Sequence, residues 1–270
     1  MFGYEMVCVH GAWEGPWIFR AWTAFFAGEG WSVRSLTLPG HEPGGDVRGV
    51  GLKEAAAAVA EGVRDPERTV VVGHSLGGWL TLKYLERRAV AASVLLMPLP
   101  PRGLSPEARR RVRSHGGWRL KARLLGGLDC PIQNAEAVRA LGFGEVGCEA
   151  SVKRFLAECV PESGRLLRQI ALLPVASRVG WGLREGRLSK TQRGRPHLIV
   201  ASEADALVSP SDLEGVARLL GAEMLRLESA PHVFLLTDHA LPLAGQVNAW
   251  LSRRLRPAGG FDEGPEKAYI

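Results

Sequence analysis

The chain of 270 residues is predicted to be an α/β protein, with a mostly parallel central sheet of about six strands flanked by helices. Three observations predict this. Short β-rich apolar runs alternate with longer segments whose apolar residues recur at helical spacing, the rhythm of repeated βαβ units. Several of the runs are apolar on consecutive positions, as suits strands covered on both faces. A 46% apolar and 23% charged composition, with mean hydropathy near zero, supplies the core of one large soluble domain.

The elements follow in order. Tyr4 to Val9 is the first strand and leads into His10-Gly11-Ala12-Trp13. Trp17 to Glu29 reads as an amphipathic helix, Ser32 to Leu38 as the second strand and Lys53 to Val63 as the next helix. Thr69 to Val72 is the third strand, Leu76 to Arg88 its helix, and Ala92 to Met97 the fourth strand. From Pro98 to Pro196 no strand is predicted, but helical stretches are, at Pro106 to Arg113, Ala135 to Leu141, Ser151 to Cys159 and Gly164 to Leu173. A connection of that length is not structureless inside a compact domain, so a helical cap is expected between two strands. His197 to Ala201, Pro210 to Leu220, Ala222 to Leu227 and Leu241 to Leu255 complete the alternation. The expected division is a core of residues 1–98 and 196–256, a cap or lid of residues 99–195, and a flexible tail of residues 257–270 rich in Gly, Pro and charge.

Charge is uneven. Residues 102–195 hold 19 Lys+Arg against 8 Asp+Glu, a net of +11, while the rest of the chain is net −5. The segment lacks the aromatic interleaving of a nucleic-acid groove, so no nucleic-acid partner is expected. As a property of the cap, the basic charge is compatible with either a preference for anionic esters or weak association with a lipid surface. No run approaches the roughly 18 apolar residues of a membrane span. Cys8, Cys130, Cys148 and Cys159 match no metal or redox spacing. Together with the lack of a leader-like N-terminus, they point to reduced thiols and a cytoplasmic location, with no metal site and no cofactor. The oligomeric state is not indicated.

The strongest chemical signal is Val70-Val71-Val72-Gly73-His74-Ser75-Leu76-Gly77-Gly78. It is a G-x-S-x-G motif directly after an apolar strand and directly before a helix. So tight a turn strains the serine backbone and lifts its Oγ to the carboxyl edge of the sheet, while the helix N-terminus supplies N–H donors for a developing anion. Ser75 is therefore the predicted nucleophile and the Leu76 N–H one oxyanion donor. A serine alone is a poor nucleophile and needs a base and an orienting acid.

With the His10-Gly11-Ala12-Trp13 opening, the Leu38-Pro39-Gly40-His41 segment, the elbow at Ser75 and a late acid and histidine, the chain resembles the α/β-hydrolase superfamily outside the insertion. The resemblance implies the chain order Ser, acid, His. It points to Asp205, with Glu203 the alternative, in the turn after His197 to Ala201. It points to His232, with His239 the alternative, in the loop Ser229-Ala-Pro-His232. It also implies a second oxyanion donor at the N–H of Ala12, with Trp13 its neighbouring candidate. Trp13 and His74 are candidates for substrate contact, and Trp118, Phe143, Phe155 and Trp181 for either an acyl pocket or the cap's own core.

The implied reaction is hydrolysis of carboxylic esters of small or medium acyl groups through an acyl-enzyme. A carboxylate nucleophile, as in dehalogenases and epoxide hydrolases of this scaffold, is not what the elbow holds. Thioester, lactone or C–C hydrolysis and a lyase reaction remain alternatives, as does a non-catalytic ligand receptor. The His-Gly-Ala-Trp opening is similar to plant-type hydroxynitrile lyases and methyl-ester esterases, and a lyase would need a cap lysine from among Lys121, Lys153 and Lys190.

Overall fold

The computed structural model describes residues 3–115, 134–145, 148–176, 182–192 and 194–255. The expected tail and the candidates Trp118, Lys121 and Trp181 lie outside the described residues.

Six parallel strands form one sheet in the order β2-β1-β3-β4-β5-β6, where β1 is Glu5–Val9, β2 Ser32–Leu36, β3 Thr69–His74, β4 Ala92–Leu96, β5 His197–Ser202 and β6 Glu223–Leu227. The central β3, β4 and β5 are buried at every position, whereas the edge strands β2 and β6 are not, which is why the former carry apolar runs such as Val70–Val72, Val94–Leu96 and Leu198–Ala201. Successive strand residues face opposite sides. Met6, Cys8, Val70 and Val72 join α1 (Arg20–Gly28) and the C-terminal helix in one apolar layer, where Trp22, Phe26 and Val247 pack. Val9, Val71, Leu95 and Ile199 join α2 (Leu52–Gly62) and α3 (Leu76–Leu85) in the other, with Val59 and Leu80. Each such fully buried Val or Leu contributes about 1.5–3 kcal/mol relative to exposure.

The chain runs outward from β1 to β2 on one side and from β3 onward on the other. The crevice beyond the carboxyl ends of β1 and β3 is thus the switch point at which ligands of open parallel sheets bind. β2 ends at Leu36, two residues before the expected Leu38. Leu38 leaves the ladder and donates its N–H to His10 Nε2, 3.1 Å away.

Between β4 and β5 the described residues contain helices and no strand. The longest are α4 (Pro106–Ser114), α5 (Glu149–Glu158), α6 (Gly164–Ala171) and α7 (Glu185–Thr191), with a further single turn at Leu173–Ala176. The stretch expected to be helical from Ala135 is one α-turn, Ala135–Val138, widening into a π-turn over Arg139–Phe143 that Gly144 closes by donating to the Arg139 carbonyl at 2.7 Å. This insertion lies on the loops beyond the carboxyl edge. Val160 N–H donates to Trp13 O at 3.0 Å after β1, and Val233 N–H to Gly142 O at 2.7 Å after β6. Ser163 Oγ donates to Val50 O at 2.6 Å and Leu52 N–H to Gln169 Oε1 at 2.7 Å. After β5, α8 (Pro210–Leu220) starts on a Ser209–Asp212 capping box, and α9 (Ala240–Arg254) closes the fold.

Candidate active site

The site is built from the ends of three strands. β3 passes straight into α3, and Ser75 between them has φ 51° and ψ −116°, a left-handed conformation disfavoured for a residue with a side chain. The turn is enforced by contact. A Cβ on Gly77 would lie 2.1 Å from the Val9 carbonyl oxygen, and one on Gly73 2.6 Å from that of Gly77. Only glycine allows the helix to start this close to β1.

Ser75 Oγ lies 2.9 Å from His232 Nε2, and His232 Nδ1 lies 2.8 Å from Asp205 Oδ2. The other Asp205 oxygen accepts the N–H groups of Leu207 at 2.7 Å and Val208 at 3.0 Å, which fixes the carboxylate in the turn after β5. With Nδ1–H donated to Asp205, Nε2 is left to accept the Ser75 hydroxyl proton. Glu203, the alternative acid, is exposed, and its backbone N–H is spent on Leu227 O. His239, the alternative base, stands at the N-terminus of α9.

The N–H groups of Ala12 and Leu76 have no acceptor among the described residues, and both residues line the cavity with Ser75. Trp13 has φ 61° and turns its N–H to Glu162 Oε2 at 3.4 Å, whereas the Ala12 N–H beside it is unspent among the described residues. Trp13 still lines the cavity. His74 does not. It is fully buried behind the elbow, with Nδ1 3.0 Å from Glu14 Oε2 and Nε2 2.9 Å from the carbonyl of His232, so it is a link inside the protein and no substrate contact. Phe155 reaches the cavity, whereas Phe143 packs edge-on behind it at 6.1 Å. Trp79 is buried, with Nε1 donating to Pro101 O at 3.4 Å. Lys153 is ion-paired with Glu149 on the surface of α5, and no lysine is among the described lining residues.

Two buried carboxylates brace the loop after β1. Glu14 Oε2 accepts the Gly11 N–H at 2.6 Å as well as facing His74. Both nitrogens of His74 face acceptors, which calls for an imidazolium opposite a carboxylate. Burial pushes the His74 pKa down, but the Glu14 charge and hydrogen bond outweigh it, and the net shift is upward. Burial likewise opposes ionisation of Glu14, but His74 and the Gly11 N–H hold its pKa below the usual carboxylate value. Glu162, from the insertion, pairs with His41 Nε2 at 3.3 Å, and His41 Nδ1 lies 3.2 Å from Pro39 O. His41 is raised in turn, burial being overcome by Glu162. His10 differs. It accepts from Leu38 at Nε2 and donates from Nδ1 to Gly11 O, so it is neutral, and burial with the nearby His41 charge lowers its pKa to about 4.

The cavity beside Ser75 measures about 230 Å³ and is mainly apolar. Its described wall includes Leu99, Leu141, Phe155 and Ile170, all four from the stretch between β4 and β5. The arrangement can position a carbonyl carbon over Ser75, take up the hydroxyl proton, and present two N–H groups to an oxyanion.

The chain belongs to the alpha/beta hydrolase family, whose model matches residues 6–246. No curated protein sequence matches it significantly. Among solved structures it is similar to a thermophilic esterase from Thermogutta terrifontis, at 19% identity and a TM-score of 0.67, covering 93% of this chain and 91% of that one. It is similar to the methylesterase MES16 from Arabidopsis at 16% identity and a TM-score of 0.66, covering 93% and 99%. It is also similar to a monoacylglycerol lipase from Paleococcus ferrophilus at 19% identity and a TM-score of 0.64, covering 92% and 93%. These likenesses show the fold. Among the described residues no helix is long and apolar enough to cross a membrane.

Proposed function

We propose that the protein is a serine hydrolase of carboxylic esters, with Ser75 as nucleophile, His232 as general base and acid, and Asp205 as the group that orients His232. The observation that carries the reading is the continuous relay from Asp205 Oδ2 through His232 to Ser75 Oγ, with contacts of 2.8 and 2.9 Å, opening on an apolar cavity. Ser75 Oγ attacks the ester carbon while His232 Nε2 takes its proton, and the oxyanion forms against the N–H groups of Ala12 and Leu76. His232 returns the proton to the leaving alcohol, and a water activated by the same nitrogen then cleaves the acyl-enzyme to free the acid.

In this reading the insertion is a cap. It closes the cavity with apolar side chains, selects small or medium acyl groups, and braces the oxyanion loop through Glu162 and Val160. Part of this reading is a reducing, cytoplasmic setting, in which the buried Cys8 stays a thiol. Release of p-nitrophenol from short and medium acyl esters tests the function. It is expected in the wild type and abolished in Ser75→Ala, and a folded wild-type protein that turns over none of the panel contradicts it.

A further inference from the structure

Two carboxylate or guanidinium side chains are found among the described residues lining the catalytic cavity, Glu14 and Arg109. Glu14 is committed to Gly11 and His74. Arg109, on α4, is half-buried, and its guanidinium has no hydrogen bond or ion pair among the described residues. Carboxylates are not scarce nearby. Arg111 on the same helix pairs with Glu107 at 2.7 Å, and Arg102 with Glu185 at 3.3 Å. Arg109 also borders an outer groove that holds Glu185 and Asp212, so it stands where the apolar cavity meets the surface.

A guanidinium does not shed its proton, and when half-buried it loses hydration that nothing among the described residues replaces. One positive fork is balanced by one planar carboxylate, which it can grip through two N–H groups. Because Ser75 and Arg109 share a cavity whose other walls are mainly apolar, a molecule satisfying both has an ester, an apolar body and a carboxylate at the far end.

We infer that Arg109 is a specificity-determining residue that receives a terminal carboxylate, so that the preferred substrates are esters whose apolar arm ends in a carboxylate. Turnover of such molecules rests on the ester hydrolase reading above, whereas their capture rests on the cavity alone.

Two matched ester pairs test this by acid release and by calorimetric binding to Ser75→Ala. Ethyl hexanoate against monoethyl adipate varies the end of the acyl arm, and hexyl acetate against 6-acetoxyhexanoate that of the alcohol arm. In at least one pair the charged-to-neutral ratio of kcat/KM is expected to favour the charged ester and to fall at least about tenfold in Arg109→Gln. Arg109→Lys keeps part of the ratio, and Arg110→Gln, exposed on the same helix, keeps all of it. Equal ratios in wild type and Arg109→Gln for both pairs, with turnover intact, overturn the inference and leave the hydrolase reading standing. Preferential binding of a charged ester by Ser75→Ala that disappears on adding Arg109→Gln, in a protein that releases no acid, upholds the inference and sinks the hydrolase reading. Absence of any charged-ester preference in both assays overturns the inference.

Discussion

His74 Nε2 donates to the backbone carbonyl of His232 across 2.9 Å, tying the residue before the nucleophile to the loop that carries the base. Through its other nitrogen His74 meets Glu14, which holds Gly11, so one buried chain joins the oxyanion loop, the elbow and the base. Neither Glu14 nor His74 touches the reacting atoms in the proposed mechanism. Both act by position.

Glu14→Gln keeps the shape and removes the charge that fixes His74 as an imidazolium. We expect kcat to fall about tenfold with KM little changed, because the loss is one of geometry at the oxyanion and base. Steady-state kinetics on a neutral p-nitrophenyl ester measure the split. A KM effect with unchanged kcat would place Glu14 in substrate binding instead.

The same pair has a pH signature in stability. The Glu14 pKa is lowered from 4.5, so its contribution is present above that value and is lost as pH falls through the lowered pKa. The His74 pKa is raised from 6.5, so its contribution is complete below that value and is lost as pH rises through the raised pKa. The stability gap between wild type and Glu14→Gln is therefore expected to be widest between these two values and to shrink in alkali. Guanidinium midpoints at about pH 5.5 and 9 measure it. A gap that widens in alkali contradicts the ion pair.

His10 and His197 act in the opposite sense. Burial, aided by the charge of His41 for the first and Arg195 for the second, lowers both pKa values from 6.5 to about 4. The unfolded chain takes up these protons first, so stability falls as pH drops from 6.5 towards 4. His197→Gln is expected to flatten the dependence of unfolding free energy on pH by up to about 1.4 kcal/mol per unit in that range. Parallel slopes for variant and wild type would contradict it.

The elbow is the least forgiving part of the backbone. Gly77→Ala drives a Cβ to 2.1 Å from Val9 O and 2.6 Å from His10 O, and we expect a loss of about 3–5 kcal/mol or failure to fold. Gly245→Ala in α9 meets nothing within 4 Å and is expected to be neutral or to stabilise by about 0.5–1 kcal/mol. Thermal unfolding of the two variants makes the comparison.

The sheet was legible because β3, β4 and β5 are buried along their whole length and each carries a run of three or more consecutive apolar residues. Ser75 was legible because its signal is local: two glycines forced by contact, a strand before and a helix after. Asp205 and His232 followed from chain order and resemblance. Glu14 and Glu162 were not legible, since their partners lie 60 and 121 residues away and nothing in a lone Glu announces a buried histidine. His74 is a candidate for substrate contact in the sequence, but at the end of β3 neighbouring side chains point apart, and His74 is buried away from the cavity that Ser75 faces. Arg109 was hidden in the +11 charge of the insertion, where only the structure separates a guanidinium with no partner among the described residues from the paired ones of Arg102 and Arg111.

Orientation of the base is open to a direct test. Asp205→Asn removes the charge that holds Nδ1–H, and with it the tautomer that leaves Nε2 free, so kcat is expected to drop by about 10³–10⁴ with the fold intact. Retention of wild-type kcat would remove Asp205 from the relay.

Intact-mass and peptide mass spectrometry after treatment with a fluorophosphonate measures most directly whether Ser75 is the nucleophile. One adduct per chain is expected, located on Ser75, and none on Ser75→Ala. An adduct on another residue, or equal labelling of Ser75→Ala, would contradict that role.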